Sequence, residues 1–516
     1  MTDRGDPRTL PDATAERGER GWKAGVWGLF AAGVVLTLAI VAAVPDEVFY
    51  SGDAGVKALL VKQFAQGNWK PELELPAPAP VLELWKSGQY PLTPPFVYET
   101  SRGYSVAFPF AFALLSTPFY ELLGFRGFYA VPLLSLWLLW ALFIRTLERL
   151  RLPARAVALG FAALAFASHL TLYGAMFWEH TLGALLAYLG IDYAVRRDAA
   201  PLGSVGSAAA GVLFGTSFLI RSEALLLVVL VTAYCLLTRS RRRTEHAFAG
   251  GAALGLLLVA GVNLAVYGRP LGLHGEQVLH AATPVSLALF FAERGARISA
   301  NLLLHAPFAV FAVVVAAGSV KTAGWDVRKW PIGVLAPCLL FLLGLPFGTP
   351  NAGGRQLGPR YTLVVVAPFA LVTAVAFAEL VRRRPRGHRA LLGLLALCCA
   401  LGFVKNGVLN ARHLVEDYRS RITSALALVR SEPGKVVAVS DTAVAQELEA
   451  TFATKSYVLA LTPADTTRAL GAAAALGDAT LLFASFADAP PPPIPAETKT
   501  TDLGRRGPIH FYRLAR

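Results

Sequence analysis

The stretch "FYSGDAGVKALLVKQFAQG", Phe49 to Gly67, places Asp53 a few residues after an apolar run, 24–44, long enough to cross a bilayer. Val56, Leu59, Leu60 and Phe64 recur behind it at helical spacing, which predicts an amphipathic helix along the membrane surface. Ser51 stands where it can cap that helix. Asp53 then falls in the first turn, where free N–H groups and the helix dipole favour an anion. Lys57 follows four residues on, on the same face. Two readings stand: a first-turn acid with a surface partner, or an ionised carboxylate ready to accept a proton.

Other stretches add charge near membrane edges. "MFWEHT" (176–181) sets Glu179 and His180 beside Trp178, which is expected at headgroup level like a belt aromatic. "FLIRSEALLLVV" (218–229) interrupts two apolar runs with Arg221 and Glu223, where charge is expensive and marks a site or an internal pair. "YGRPLGLHGEQV" (267–278) carries Arg269, His274 and Glu276. "GGRQLGPRYTL" (353–363) carries Arg355, Arg360 and Tyr361. Arginines beside glycines suit a phosphate, because guanidinium grips it bidentately and glycine lets backbone approach. The plainer alternative is a loop anchored to headgroups.

The elements that must hold these residues are membrane spans. The chain has 516 residues, 55% of them hydrophobic, with a mean hydropathy of +0.51. Candidate spans are 24–44, 127–144, 156–174, 179–195, 205–220, 223–238, 247–267, 300–318, 331–347, 361–381 and 389–408, about eleven in all. The short pair 205–220 and 223–238 reads as a hairpin that need not cross fully. The net charge of +14 sits in clusters between runs: 145–155, 196–198, 239–243, 321–329 and 382–389. That pattern marks cytoplasmic loops, not a nucleic-acid surface. It holds if the proline-containing stretch 105–123 lies in the outer interface. If 105–123 crossed, every later loop would change sides. The N-terminus is then cytoplasmic, the first run an uncleaved signal anchor, and the C-terminal segment extracytoplasmic.

Three parts follow: a disordered tail 1–23, a transmembrane domain 24–409 with a large outer loop 45–126, and an outer domain 410–516. The last alternates helix 411–430, strand "KVVAVS", helix 442–450, strand "SYVLALT", helix 464–475, strand "TLLFAS", a proline loop and a last strand "IHFYRLAR". That predicts a small α/β domain. Cys235, Cys338, Cys398 and Cys399 lie inside apolar runs and read as buried hydrophobes. The expected fold class is thus an all-α polytopic membrane protein with a small C-terminal α/β domain. Asp53, Glu179, Arg221, His274 and Arg360 come from separate segments, and this topology puts all of them at the outer leaflet.

The sequence resembles the GT-C-type membrane glycosyltransferases over roughly 24–410. The resemblance rests on "SGDAGVK" in the first outer loop, the "P…P…Y…LLG" stretch before the second span, "FWEHT", "RSE" and "GPRY". It is similar to the branch of dolichyl-phosphate-mannose protein mannosyltransferases and lipid A aminoarabinose transferases. The resemblance implies a polyprenyl-phosphate-linked sugar donor and a lipid, glycan or protein acceptor, with no nucleic acid. It implies inverting transfer with Asp53 as general base and Glu179 as the second acidic position. Arg221, Arg360 and Arg355 become donor-phosphate contacts, and Lys57, His180, Glu223, His274 and Tyr361 pocket candidates. Asp53 is followed by Ala54, not by a second acid, so no metal or other cofactor is expected. A transporter or flippase of lipid-linked glycan, and a non-catalytic envelope assembly protein, are the alternatives.

Overall fold

The computed structural model describes residues 13–196, 201–239, 243–281, 291–323, 332–349, 356–490 and 492–515. A helix stands over every expected span. The first, Ala13–Ala42, begins well before residue 24. By length and hydropathy, five helices among the described residues can cross a membrane, or six if one bent pair counts as a single span. The expected count of eleven is therefore not established. Shorter helices such as Ala154–Phe166 and Ser204–Ile220 span about 20–26 Å of a core about 30 Å thick. The expected span 300–318 is two helices, Ala296–His305 and Phe308–Ala323. The break at Ala306–Pro307 bends the path by 104°, because proline cannot donate into the helix ladder.

Stretch 105–123 forms the helix Phe110–Leu123. It does not run straight into Ala130–Arg149. At Gly127 an added Cβ would strike the Phe119 carbonyl. In a straight helix, residues eight apart lie about 12 Å from each other, so the chain doubles back at 124–129. Helix Ser204–Ile220 packs against Arg243–Tyr267 through two facing glycine pairs. An added Cβ on Gly211 would strike the Phe248 carbonyl, and one on Gly255 the Val212 carbonyl. These small-xxx-small repeats, Gly211/Gly215 and Gly251/Gly255, bring the backbones together without a hydrophobic driving force.

The first outer loop holds the helix Gly52–Ala65 and a hairpin, β1 (Val97–Thr100) and β2 (Gly103–Val106). The helix is not a surface amphipath: most of its residues are buried on every side. Ser51 has the extended backbone of an N-cap, but its hydroxyl makes no cap bond. The C-terminal region carries a five-stranded sheet. Its strands are β3 (Val436–Val439), β4 (Ser456–Leu459), β5 (Thr480–Phe486), β6 (Lys499–Arg506) and β7 (Ile509–Ala515), in the order β4-β3-β5-β7-β6. The first three strands are parallel, joined through the helices Thr442–Glu447 and Pro463–Ala475. Thr462 and Asp465 form a capping box that starts the second of these.

Candidate active site

Asp53, Glu179, Arg221 and Arg360 meet, although 307 residues separate the first from the last. Arg360 donates from a guanidinium nitrogen to Asp53 Oδ2 at 3.1 Å. Arg221 donates to Glu179 Oε1 at 2.8 Å and to Glu223 Oε1 at 2.8 Å. Lys57 Nζ reaches the other Glu179 oxygen, Oε2, at 2.5 Å. Lys57 is therefore not the exposed partner of Asp53 that helical spacing predicts. It is 3% exposed and paired across 122 residues to Glu179, itself 1% exposed. The Phe108 ring lies 4.3 Å from its ammonium.

The local folding reasons are plain. Helix Ser204–Ile220 ends and Ala224–Arg239 begins around Arg221, whose backbone is extended. This break turns both charged side chains, Arg221 and Glu223, inward. Gly183, on the helix His180–Arg196, makes room for them: a Cβ there would lie 2.5 Å from Arg221 Cγ. Gly358 has φ +94° and packs on the His169 and His305 rings, while Tyr173 Oη donates to its carbonyl at 2.9 Å. That left-handed residue aims the next turn, Arg360–Thr362, into the site.

Aromatic rings form the wall. Trp178 is buried, contrary to its expected place in a headgroup belt, and Arg360 stacks over it at 5.7 Å. Tyr361 lies 5.2 Å from Arg360 and 5.6 Å from Arg221. His180 is buried between Tyr173 and Trp178, with both ring nitrogens unpartnered. His274 pairs through Nδ1 with Gln277 Oε1 at 2.7 Å and lies within electrostatic reach of Arg221 and Glu223. Arg355 lies outside the described residues. Tyr50, Phe108, Tyr173 and Trp178 complete the enclosure. The sequence signal for Tyr50, Tyr173 and Trp178 is the cluster of aromatics ahead of each acid, in "VFYSGD" and "LYGAMFWEH".

The electrostatics follow from this packing. Burial pushes Glu179 up, but Lys57, His180 and Arg221 outweigh it and hold its carboxylate well below the usual range. Burial pulls Lys57 down against the opposing pull of Glu179 and Asp53. Burial and Arg221 likewise lower His274, so its imidazole is neutral near pH 7. Helices starting at Gly52, His180, Ala224 and Leu363 all begin here, and their N-terminal dipoles add positive potential. Three of them run to arginines: Arg196, Arg239 and Arg383. Helices of 17, 16 and 21 residues put those arginines about 24–31 Å away. The site and the arginine clusters thus lie at opposite ends of the helices. At the far end Asp192 joins Arg196 at 2.9 Å and Arg149 at 3.6 Å.

No protein-family model matches this sequence, and no curated protein matches it. Solved structures do. ArnT from Cupriavidus metallidurans bound to undecaprenyl phosphate superposes with a TM-score of 0.57 at 12% identity, covering 94% of this chain and 98% of that one. The apo state of the same protein gives 0.53 at 13% identity, with the same coverage. The apo oligosaccharyltransferase of Archaeoglobus fulgidus gives 0.50 at 11% identity, over 89% of this chain and 69% of that one. The chain shares the fold of these structures. Within that fold the charged cluster, the helix starts and the C-terminal sheet all lie toward one end of the spanning helices.

Proposed function

We propose that this chain is a membrane glycosyltransferase that moves a sugar from a polyprenyl-phosphate-linked donor to a lipid, glycan or protein acceptor at the outer face of the membrane. The observation that carries the reading is an anion site built beside a carboxylate. Lys57, Arg221 and Arg360 converge from three segments, next to four helix starts and the buried, unpartnered Trp178 Nε1 and Arg360 Nε. Orphaned buried donors call for an acceptor-rich ligand. A phosphate meets that need, and Asp53 stands beside it.

Asp53 is the general base. The acceptor's hydroxyl or amine attacks the anomeric carbon on the face opposite the phosphate, and its proton passes to Asp53. The bond from that carbon to the phosphate oxygen breaks, and the electron pair leaves with the phosphate. Configuration inverts. Arg360 links the two events. Its ion pair with Asp53 weakens as Asp53 is protonated, just as negative charge grows on the leaving phosphate, so the guanidinium is freed to follow the charge. Glu179 has two cations to hold and serves to fix Lys57 and Arg221. His180 and neutral His274, with Glu223 and Tyr361, line the donor. The reading assigns no step to a metal or other cofactor: Asp53, Glu179 and Glu223 are each bonded to a cationic side chain. A carrier is less well supported, since these charges gather at helix ends and carriers place theirs near the midplane.

The test is binding of undecaprenyl phosphate to protein in nanodiscs. Arg360→Ala removes charge-assisted hydrogen bonds worth about 1.5–3 kcal/mol, so affinity falls about tenfold to a hundredfold. Arg360→Lys recovers part of it, since lysine has no fork. Wild-type affinity in folded Arg360→Ala and Arg221→Ala variants would remove the phosphate assignment.

A further inference from the structure

The expected roles leave two glycines of "SGDAGVK" and the whole C-terminal region unused. They meet each other. Gly52, Gly55 and Lys62 fall on one stripe of the helix Gly52–Ala65, and that stripe lies against the C-terminal region. An added Cβ at Gly52 would stand 2.6 Å from Gln446 Cβ, and one at Gly55 would stand 2.6 Å from the Gln446 carbonyl and 3.0 Å from Glu449 Cβ. Seven residues beyond Gly55, Lys62 Nζ binds Glu449 Oε1 at 2.6 Å, and Glu449 is 2% exposed. The opposite stripe carries Lys57 to Glu179. Asp53 sits in the first turn, between the two.

The sheet itself is anchored to the first outer loop. Trp85 Nε1 donates to the Tyr457 carbonyl at 2.8 Å, and Gln89 Nε2 to the Leu459 carbonyl at 3.1 Å. These bonds take up free carbonyls of edge strand β4. The backbone N–H of Thr93 donates to Thr442 Oγ1 at 3.0 Å. The C-terminal region is thus fixed at several points, and its Gln446–Glu449 corner presses on the Asp53 helix.

We propose that this corner is the positioning element for Asp53. Gln446 and Glu449 set the rotation and height of the helix Gly52–Ala65, and so the reach of Asp53 toward Arg360 and the acceptor. The proposal rests on the reading of Asp53 as base. Gln446 and Glu449 are positioning residues and touch no reacting atom.

The test uses the full chain in nanodiscs with four variants: Gly55→Val, Glu449→Lys, Lys62→Glu and the double swap Lys62→Glu/Glu449→Lys. Hydrogen exchange is read over residues 52–65, with β3 and β5 as internal controls. Turnover is read as release of undecaprenyl phosphate from a panel of undecaprenyl-phospho-sugars. The single variants should speed exchange in 52–65 and leave β3 and β5 protected. Their turnover number should fall on the order of 10²-fold, the cost of about 1 Å of misplacement, a larger loss than in undecaprenyl phosphate affinity, because Lys57 rides on this helix while Arg221 and Arg360 do not. The double swap should restore protection and turnover. Wild-type protection or wild-type turnover in the single variants overturns the proposal, as does a double swap no better than Glu449→Lys. Should Gly55→Val unfold the sheet, the charge-swap series carries the test alone. Asp53→Asn separates the two ideas. If it keeps turnover, the base reading fails, while the exchange data still judge the positioning contact.

Discussion

At the scale of residues, Lys57 shows how a local pattern and a tertiary contact compete. Four-residue spacing makes Asp53 and Lys57 a surface pair worth about 0.2–0.5 kcal/mol. The structure instead sends Lys57 to Glu179, buried, with Arg221 on the other carboxylate oxygen. Breaking a buried pair by removing one partner costs about 3–5 kcal/mol, because the remaining charge is uncompensated. Arg221 still faces Glu179, so Lys57→Met should fall near the low end, about 3 kcal/mol. Thermal unfolding in detergent should show a clearly lowered Tm for Lys57→Met and a nearly unchanged one for Lys86→Met, whose pair with Glu83 is exposed. Equal, small shifts would mean the Lys57 pair is solvated. The types of the site residues were legible in sequence, since a carboxylate or guanidinium beside an apolar run stands out. Their pairing was not, because Glu179 is shared between two cations and sequence spacing cannot express a three-way contact.

At the scale of elements, apolar runs located the helices well, and β3, β4, β5 and β7 read clearly from their β-branched and aromatic content. What stayed hidden has physical causes. The strand β6 is an exposed edge with no alternating apolar face, so periodicity cannot mark it. The reversal at Gly127 depends on the close approach of the Phe119 backbone, which sequence periodicity does not mark. The glycine pairs 211/215 and 251/255 were present in the sequence as a packing signal. They fix the helix that ends at Arg221. Gly215→Leu would place a side chain where Ala252 and Gly255 backbone atoms lie, forcing the helices apart and shifting Arg221. Overpacking of this kind costs about 1–3 kcal/mol. The expected outcome is a lowered Tm together with weaker undecaprenyl phosphate binding. Unchanged binding would mean that Arg221 does not depend on this helix pair.

At the scale of the whole molecule, the site end and the arginine end of the helices are opposed, and the positive-inside rule puts the arginines in the cytoplasm. The C-terminal region, whose Gln446–Glu449 corner packs on the Asp53 helix, is then expected outside the cytoplasm. Ser431 is exposed, while the native cysteines are buried or half-buried. A cysteine at Ser431 should therefore react with an impermeant maleimide in intact cells; labelling only after lysis would invert the topology. The central claim is that this fold makes a glycosidic bond and that Asp53 takes the proton. The direct measurement is mass-spectrometric detection of glycosylated acceptor in proteoliposomes supplied with undecaprenyl-phospho-sugars and candidate acceptors. Wild-type protein should form a covalent product and release undecaprenyl phosphate. Asp53→Asn should bind undecaprenyl phosphate as before and lose about 10²–10⁴ in rate, the usual cost of removing a general base. Lipid movement across the bilayer without any new glycosidic bond, or full product formation by Asp53→Asn, would contradict it.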